Sequence, residues 1–145
     1  SEFDKSIQIN FKKNKKNILF DCDKEQLNRV FFNLIKNSIE SIKQKIEKQG
    51  EFTKKISIEI LSNNDHIKVI LEDNGIGFDQ IKNDIKKITN PYFTTKKNGT
   101  GLGLSIVNKI INDHNGELLF FPIINGAKIE VIFKLDGHRN INSRR

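Results

Sequence analysis

Apolar residues recur in this chain with two different periods, and the changes of period lay out its elements. Between residues 5 and 11 they alternate with polar ones, which puts Ile7, Ile9 and Phe11 on one face and predicts a half-buried strand. The run Lys12-Lys13-Asn14-Lys15-Lys16 reads as a solvated basic turn, and Ile18-Leu19-Phe20 as a second short strand. The period then becomes helical: Leu27, Val30, Phe31, Leu34, Ile35, Ile39, Ile42 and Ile46 form one stripe that ends near Lys48. Ahead of it, Asp23-Lys24-Glu25-Gln26 has the form of a capping box with Asp23 as N-cap. Alternation returns in 54–61 (Ile56, Ile58, Ile60) and 66–72 (Ile67, Val69, Leu71), which predicts an antiparallel hairpin covered on one face.

Ile81, Ile85 and Ile88 mark a short helix over 79–87. The stretch 89–98 has no period and contains Pro91, so it is a loop, and long irregular loops in compact domains often serve as lids. Leu104, Val107, Ile110, Ile111 and His114 predict a second amphipathic helix over 103–114, with Asn115-Gly116 as its glycine C-cap. Strands over 117–121 and 127–135 flank the hairpin signal Asn125-Gly126, and Pro122 belongs at a sheet edge or bulge. Residues 136–145 are polar and basic and read as a disordered tail behind a single domain spanning 1–135.

Charge alters the picture little. The net charge of +7 raises nucleic acid or an acidic partner as a ligand class. The lysines, however, are scattered over helix faces and loops and are not interleaved with aromatics, so no direct nucleic-acid binding is expected. A solvated surface with an anionic ligand fits better. One cysteine, Cys22, excludes an internal disulfide and fits a reducing compartment. Flanked by Asp21 and Asp23, it reads as a structural thiol, since neighbouring carboxylates disfavour a thiolate. No apolar run approaches the ~20 residues needed to cross a bilayer, so a soluble, cytoplasmic piece of something larger is expected.

Candidate chemistry gathers in three places. In Asn98-Gly-Thr-Gly-Leu-Gly-Leu-Ser105, Gly99, Gly101 and Gly103 remove Cβ atoms at alternate positions just before a helix. Such a loop presents unpaired amides and the positive end of the helix dipole to a phosphate; taken alone, it is equally a flexible turn before an ordinary helix. On the first helix, Asn33, Asn37 and Glu40 make a polar stripe beside the apolar face, with Arg29 one turn earlier. Asn disfavours helix interiors because its amide competes for the backbone, so two of them one turn apart mark either a task or a solvated face. Finally, the strand ending in Glu72-Asp73 runs into Asn74-Gly75-Ile76-Gly77, a carboxylate set over a gap, or else a plain turn.

These stretches follow one known order. Asn33-Leu-Ile-Lys-Asn-Ser-Ile-Glu40 resembles the N box, Asp73-Asn-Gly-Ile-Gly77 the first glycine box, Pro91-Tyr-Phe-Thr-Thr-Lys96 the F box and Gly99-Thr-Gly-Leu-Gly103 the second glycine box of the catalytic, ATP-binding domain of sensor histidine kinases. That domain shares the GHKL superfamily with gyrase and MutL. The Tyr92-Phe-Thr-Thr-Lys-Lys97 and Asp113-His-Asn-Gly116 stretches are most similar to the nitrogen-regulation NtrY-type branch. The resemblance covers roughly residues 5–135 and implies the Bergerat fold, an α/β (α+β) two-layer sandwich whose mixed, mostly antiparallel sheet carries helices on one face. It implies ATP and Mg²⁺ as cofactors. Asp73 would accept a hydrogen bond from the adenine amine, where guanine has a carbonyl, and Gly75 and Gly77 would let the chain pass close to the nucleotide. Asn37 would ligate Mg²⁺, assisted by Asn33. Phe93 would pack the lid, Lys96 would neutralise phosphate charge, and Thr100, Gly101, Leu102, Gly103 and Leu104 would line the triphosphate.

Two departures stand out. Many members carry a Lys and an aromatic where this chain has Glu40 and Ser41. The ATP-hydrolysing relatives place a Glu at Asn33, and an amide cannot act as general base for water; this favours phosphoryl transfer to a protein side chain over hydrolysis by a GHKL-type ATPase, and a non-catalytic nucleotide-binding module stays as the other alternative. None of the three histidines, His66, His114 and His138, lies in the His-Glu context of the family's phosphoacceptor. The implied partners are therefore a separate dimerisation and phosphoacceptor domain of the same kinase and a response-regulator receiver domain. The full-length protein would be anchored in the inner membrane.

Overall fold

Asp23 starts the long helix α1 (Lys24–Gln49): its backbone is extended and its carboxylate accepts the Gln26 N–H at 3.1 Å. Gly50 ends it with a φ of 85° and an N–H donated to the Ile46 carbonyl. Val30, Leu34, Ile39 and Ile42 are buried, with Leu27, Phe31, Ile35 and Ile46 packed around them, so the predicted stripe faces the core. The computed structural model describes residues 5–77 and 103–135; the predicted helix over 79–87, the loop over 89–98 and the tail over 136–145 lie outside the described residues.

A five-stranded sheet takes the order β1-β2-β3-β5-β4, built from β1 (Gln8–Lys13), β2 (Lys55–Ser62), β3 (His66–Asp73), β4 (Gly116–Ile123) and β5 (Gly126–Lys134). Every pairing is antiparallel except β1 with β2. The register sets Ile56, Ile67, Val69, Leu71, Ile129, Val131 and Phe133 on one face. There they join the apolar sides of α1 and α2 (Gly103–Asp113) in a single buried cluster. This is the expected two-layer arrangement. Phe133 is 1% exposed, and burying such a side chain contributes roughly 2–3 kcal/mol.

Several local expectations need correction. All six residues of β1 are exposed, with Ile9 and Phe11 at 57% each, so it is not half-buried. As the edge strand it pairs on one side only, with Ile9 opposite Ile56 and Phe11 opposite Ile58 of β2. Residues 18–20 form no strand; Phe20 leaves the sheet register and packs its ring on Phe133, with centroids 4.7 Å apart. Cys22 is exposed, so it has no structural role in the core. Asn115, with φ of 58°, takes the left-handed position assigned to Gly116, which already opens β4. A side chain at Gly116 would meet Ile111 and Phe133 at 2.9 Å. Pro122 lies in the edge strand β4, as expected, and the β4–β5 turn is Ile124-Asn125.

His114 ties the two helices together. Its Nδ1–H donates to the Ile110 carbonyl at 2.8 Å, and Nε2 accepts the backbone N–H of Asp23 at 3.0 Å. One neutral tautomer satisfies both bonds. Since Asp23 caps α1 and Ile110 belongs to α2, the imidazole fixes the start of one helix against the end of the other. His114→Ala is expected to lower stability by about 1–2 kcal/mol through two lost hydrogen bonds, read from urea unfolding. An unchanged midpoint would show that water replaces both bonds without cost.

Candidate functional site

Residues 33, 37, 41 and 45 recur every four positions, and on α1 that spacing makes a polar row beside the buried stripe. Asn33, Asn37, Ser41 and Lys45 are all half-buried along it. Next to Asn37, Ser38 points inward and is 3% exposed. A hydroxyl so deep in a helix needs a partner. It has one in Asp73, the last residue of β3.

The Asp73 carboxylate is 7% exposed, between Ile56 and Ala127 in the sheet. Burial pushes its pKa up from the ordinary 3.8 to about 6. The Gly75 N–H, donated to Oδ1 at 2.9 Å, the Ser38 hydrogen bond and the Lys45 charge hold it down in part. It is a desolvated acceptor poised near neutrality.

The glycine turn after it is wedged between α1 and β5. Ile76 donates its N–H to the Ser41 carbonyl at 3.1 Å, and the Gly77 N–H reaches Ser41 Oγ at 3.4 Å. A Cβ on Gly75 would stand 2.6 Å from the Ser41 carbonyl carbon and 2.7 Å from the Ile42 nitrogen, so helix backbone demands this glycine. Gly77 has a φ of 73°, and its open side meets the Gly126 carbonyl. Gly126 in turn leaves no room for a side chain against the Asp73 carbonyl. The two motif glycines thus accommodate the protein's own backbone.

Asn74 holds the turn to the start of β2. Its N–H donates to the Lys55 carbonyl at 3.2 Å, Oδ1 accepts the Lys55 N–H at 2.8 Å, and Nδ2 donates to the Thr53 carbonyl at 2.6 Å. Its own carbonyl accepts from Lys45 Nζ at 2.9 Å.

Of the residues singled out in the sequence, Asn33, Asn37, Asp73, Gly75 and Gly77 fall on α1 and the turn packed against it. Gly103 and Leu104 open α2, with the Leu104 side chain packed on the core. Phe93, Lys96, Thr100, Gly101 and Leu102 lie outside the described residues. Sequence reasoning missed Ser38, Lys45 and Gly126. Ser38 had one available signal, a polar residue inside the apolar stripe; Lys45 and Gly126 had none, because their contacts join distant segments. Among the described residues no three His, Cys, Asp or Glu side chains form a metal cage. Asn33 and Asn37, one turn apart on α1, carry amide oxygens, hard donors of the kind that suit Mg²⁺. No helix of the described residues is long and apolar enough to cross a membrane.

Residues 22–137 match the family described as histidine kinase-, DNA gyrase B-, and HSP90-like ATPase. A Rickettsia conorii protein named as an NtrY-like sensor histidine kinase is 39% identical over 133 residues, covering 89% of this chain and 20% of that protein. Sporulation kinase E of Bacillus subtilis is 39% identical over 98 residues, or 68% of this chain and 12% of that protein. The chain therefore spans a fifth or less of these relatives. The catalytic domain of histidine kinase ThkA superposes with a TM-score of 0.74 at 28% identity, covering 89% of this chain and 80% of that one. ThkA in complex with the response regulator TrrA matches with a TM-score of 0.70 at 26% identity, over 92% of this chain and 36% of that one.

Proposed function

We propose, from the premise that this chain belongs to the histidine kinase-, DNA gyrase B- and HSP90-like ATPase family, that it is the Mg-ATP-binding catalytic domain of a sensor histidine kinase. It donates the γ-phosphoryl to a histidine on a separate dimerisation domain, for relay to a response-regulator aspartate. The observation that carries this reading is the buried Asp73 carboxylate, seated on Ser38 and Gly75 directly beside the helix that bears Asn33 and Asn37.

Each residue then has a task. Asp73 accepts the adenine exocyclic amine, and the guanine carbonyl at the same place would face an anionic acceptor and be rejected. Asn37, with Asn33 a turn away, offers an amide oxygen to Mg²⁺, which when bound draws off phosphate charge during transfer. Gly103 and Leu104 present the N-terminal amides of α2 to the triphosphate, in line with the nucleotide-binding roles that the F box and second glycine box imply for Phe93, Lys96, Thr100, Gly101 and Leu102. With an amide at position 33, the site orients the γ-phosphoryl without a base that would activate water. His114 is no acceptor, because both of its ring nitrogens are engaged. The pairing of ThkA with a response regulator in a solved complex supports the same kind of partner here.

The test is the fate of γ-labelled ATP. The isolated chain is expected to bind ATP without rapid phosphate release or self-labelling. With the cognate dimerising hairpin added in trans, acid-labile label should appear on that hairpin. The yield should be low, since tethering normally supplies the effective concentration. Asn37→Asp should reduce transfer, because it adds a charge beside the cation and removes an amide donor. Acid-stable label on this chain, or fast phosphate release by it alone, would move it to the ATPase branch.

A further inference from the structure

Lys45 stands two turns beyond Asn37 on α1, outside all four sequence boxes. Its ammonium is 2.9 Å from the Asn74 carbonyl and 4.8 Å from the centre of the Phe52 ring. These two partners belong to different segments: Phe52 to the connection between α1 and β2, and Asn74 to the glycine turn. We propose that Lys45 is a positioning residue for nucleotide recognition, clamping the Asp73–Gly75 turn to α1 and holding the Asp73 carboxylate ready for the adenine amine. This rests on the reading of Asp73 given above.

Three observations converge on it. Asn74 already spends its N–H, Oδ1 and Nδ2 on Thr53 and Lys55, so its carbonyl is the group left to face α1, and Lys45 takes it. The turn that follows Asp73 is thereby held from two directions: by β2 through Asn74, and by α1 through Lys45 before Gly75 and Ser41 after it. The second observation is charge. Asp73's cross-strand neighbours Ile56 and Ala127 are apolar, and Lys54 at the entry to β2 pairs with Glu51 at 3.4 Å. Among the described residues, the cation whose charge acts on Asp73 is Lys45. Third, the ring of Phe52 beneath the ammonium supplies an attractive face and confines the flexible lysine stem. One side chain therefore sets both the position of the carboxylate and part of its ionisation.

Two readouts separate this clamp from the nucleotide reading itself. The first uses no nucleotide: the Asp73 carboxyl carbon is titrated by NMR in the unmodified chain, Lys45→Met and Lys45→Arg. Methionine keeps the stem on Phe52 and removes the charge, so the Asp73 midpoint is expected to rise by about half a unit to one unit. Arginine keeps the charge, so the midpoint should stay near that of the unmodified chain. The second is calorimetric titration with Mg-ATP. Lys45→Met should weaken binding roughly tenfold at pH 7, and the acid limb of its affinity profile should shift upward with the Asp73 midpoint, with Lys45→Arg restoring most of both. Should Lys45→Met fail to fold, Phe52→Leu, which removes only the ring, should give the same shifts at smaller size. An unmoved Asp73 midpoint in a folded Lys45→Met chain would overturn the proposal, as would Lys45→Arg behaving like Lys45→Met. If the midpoints shift as expected but the unmodified chain binds no ATP, the clamp stands and the adenine assignment of Asp73 fails.

Discussion

An Asp73→Asn chain is expected to melt higher than the unmodified chain at pH 7 and to bind Mg-ATP more weakly. Burial raises the Asp73 pKa from 3.8 to about 6, so between those values the folded state holds the proton that the unfolded state has released. Stability contributed by this group therefore falls as pH rises from about 4 to about 6 and stays low above that. At pH 7 the cost is on the order of 2–3 kcal/mol. Asparagine is neutral, keeps an oxygen for the Gly75 N–H, and lets the Ser38 hydroxyl rotate to suit. The gain should be several degrees in Tm at pH 7 and should vanish near pH 4.

Function should move the other way. The charged acceptor proposed for the adenine amine is gone, so ATP affinity should drop roughly 10- to 100-fold, and the preference over GTP should shrink. In the unmodified chain, affinity should fall below about pH 6 as Asp73 takes up its proton. The Asp73→Asn chain is the control for titration of the nucleotide's own phosphates. Equal melting of the two chains at pH 7 would mean that the carboxylate carries no burial cost. An intact ATP preference in Asp73→Asn would remove it from base recognition.

Gly75→Ala and Gly103→Ala should part company in a way that sorts the glycines by what they face. At Gly75 the new methyl would stand 2.6 and 2.7 Å from the Ser41 carbonyl carbon and the Ile42 nitrogen. Those are backbone atoms inside a helix, which no rotamer change can move. The turn would have to leave α1, breaking the Ile76 and Gly77 bonds to Ser41 and dislodging Asp73. A loss of about 3 kcal/mol or more is expected, with nucleotide binding lost alongside. Among the described residues, a Cβ on Gly103 would meet nothing within 4 Å. In the first turn of α2 alanine should be neutral, or stabilising by up to about 1 kcal/mol. If the α2 amides cradle the triphosphate, that same chain should still bind Mg-ATP more weakly. Urea unfolding together with calorimetric titration reads both. A stable Gly75→Ala chain would refute the wedge against α1, and an unimpaired Gly103→Ala chain would place the phosphates away from the start of α2.

Much of this molecule is legible in the order of its residues because the signals are local. The stripe from Leu27 to Ile46 fixes which side of α1 is buried, and Asp23 with Gln26 fixes where the helix begins. Alternation in 56–60 and 67–71 assigns the covered face of β2 and β3, and two-residue punctuation places the β4–β5 turn. The order of the four boxes pointed to the family, and with it singled out Asp73 as a candidate, where its place at a strand end before two glycines left a plain turn equally open. Periodicity states which face is apolar, yet not what lies over it. Hence Ile9 and Phe11 alternate like core residues and are exposed, because β1 was placed at the sheet edge by a parallel pairing with β2 across some 45 residues of chain.

Everything that tunes the site was settled by tertiary contacts between segments remote in sequence. Ser38 and Lys45 reach the turn 73–75 from α1, about thirty residues earlier, and Gly126 backs Asp73 from more than fifty residues later. No local pattern encodes those approaches, because each depends on how α1 and β5 settle against the end of β3. The sequence alone determined that a carboxylate, two amides and a glycine loop are present in the order of a nucleotide site. Only the packing decided that the carboxylate is desolvated, which helix backbone forbids a side chain at Gly75, and which lysine steadies the turn, since burial and proximity are properties of the assembled layers.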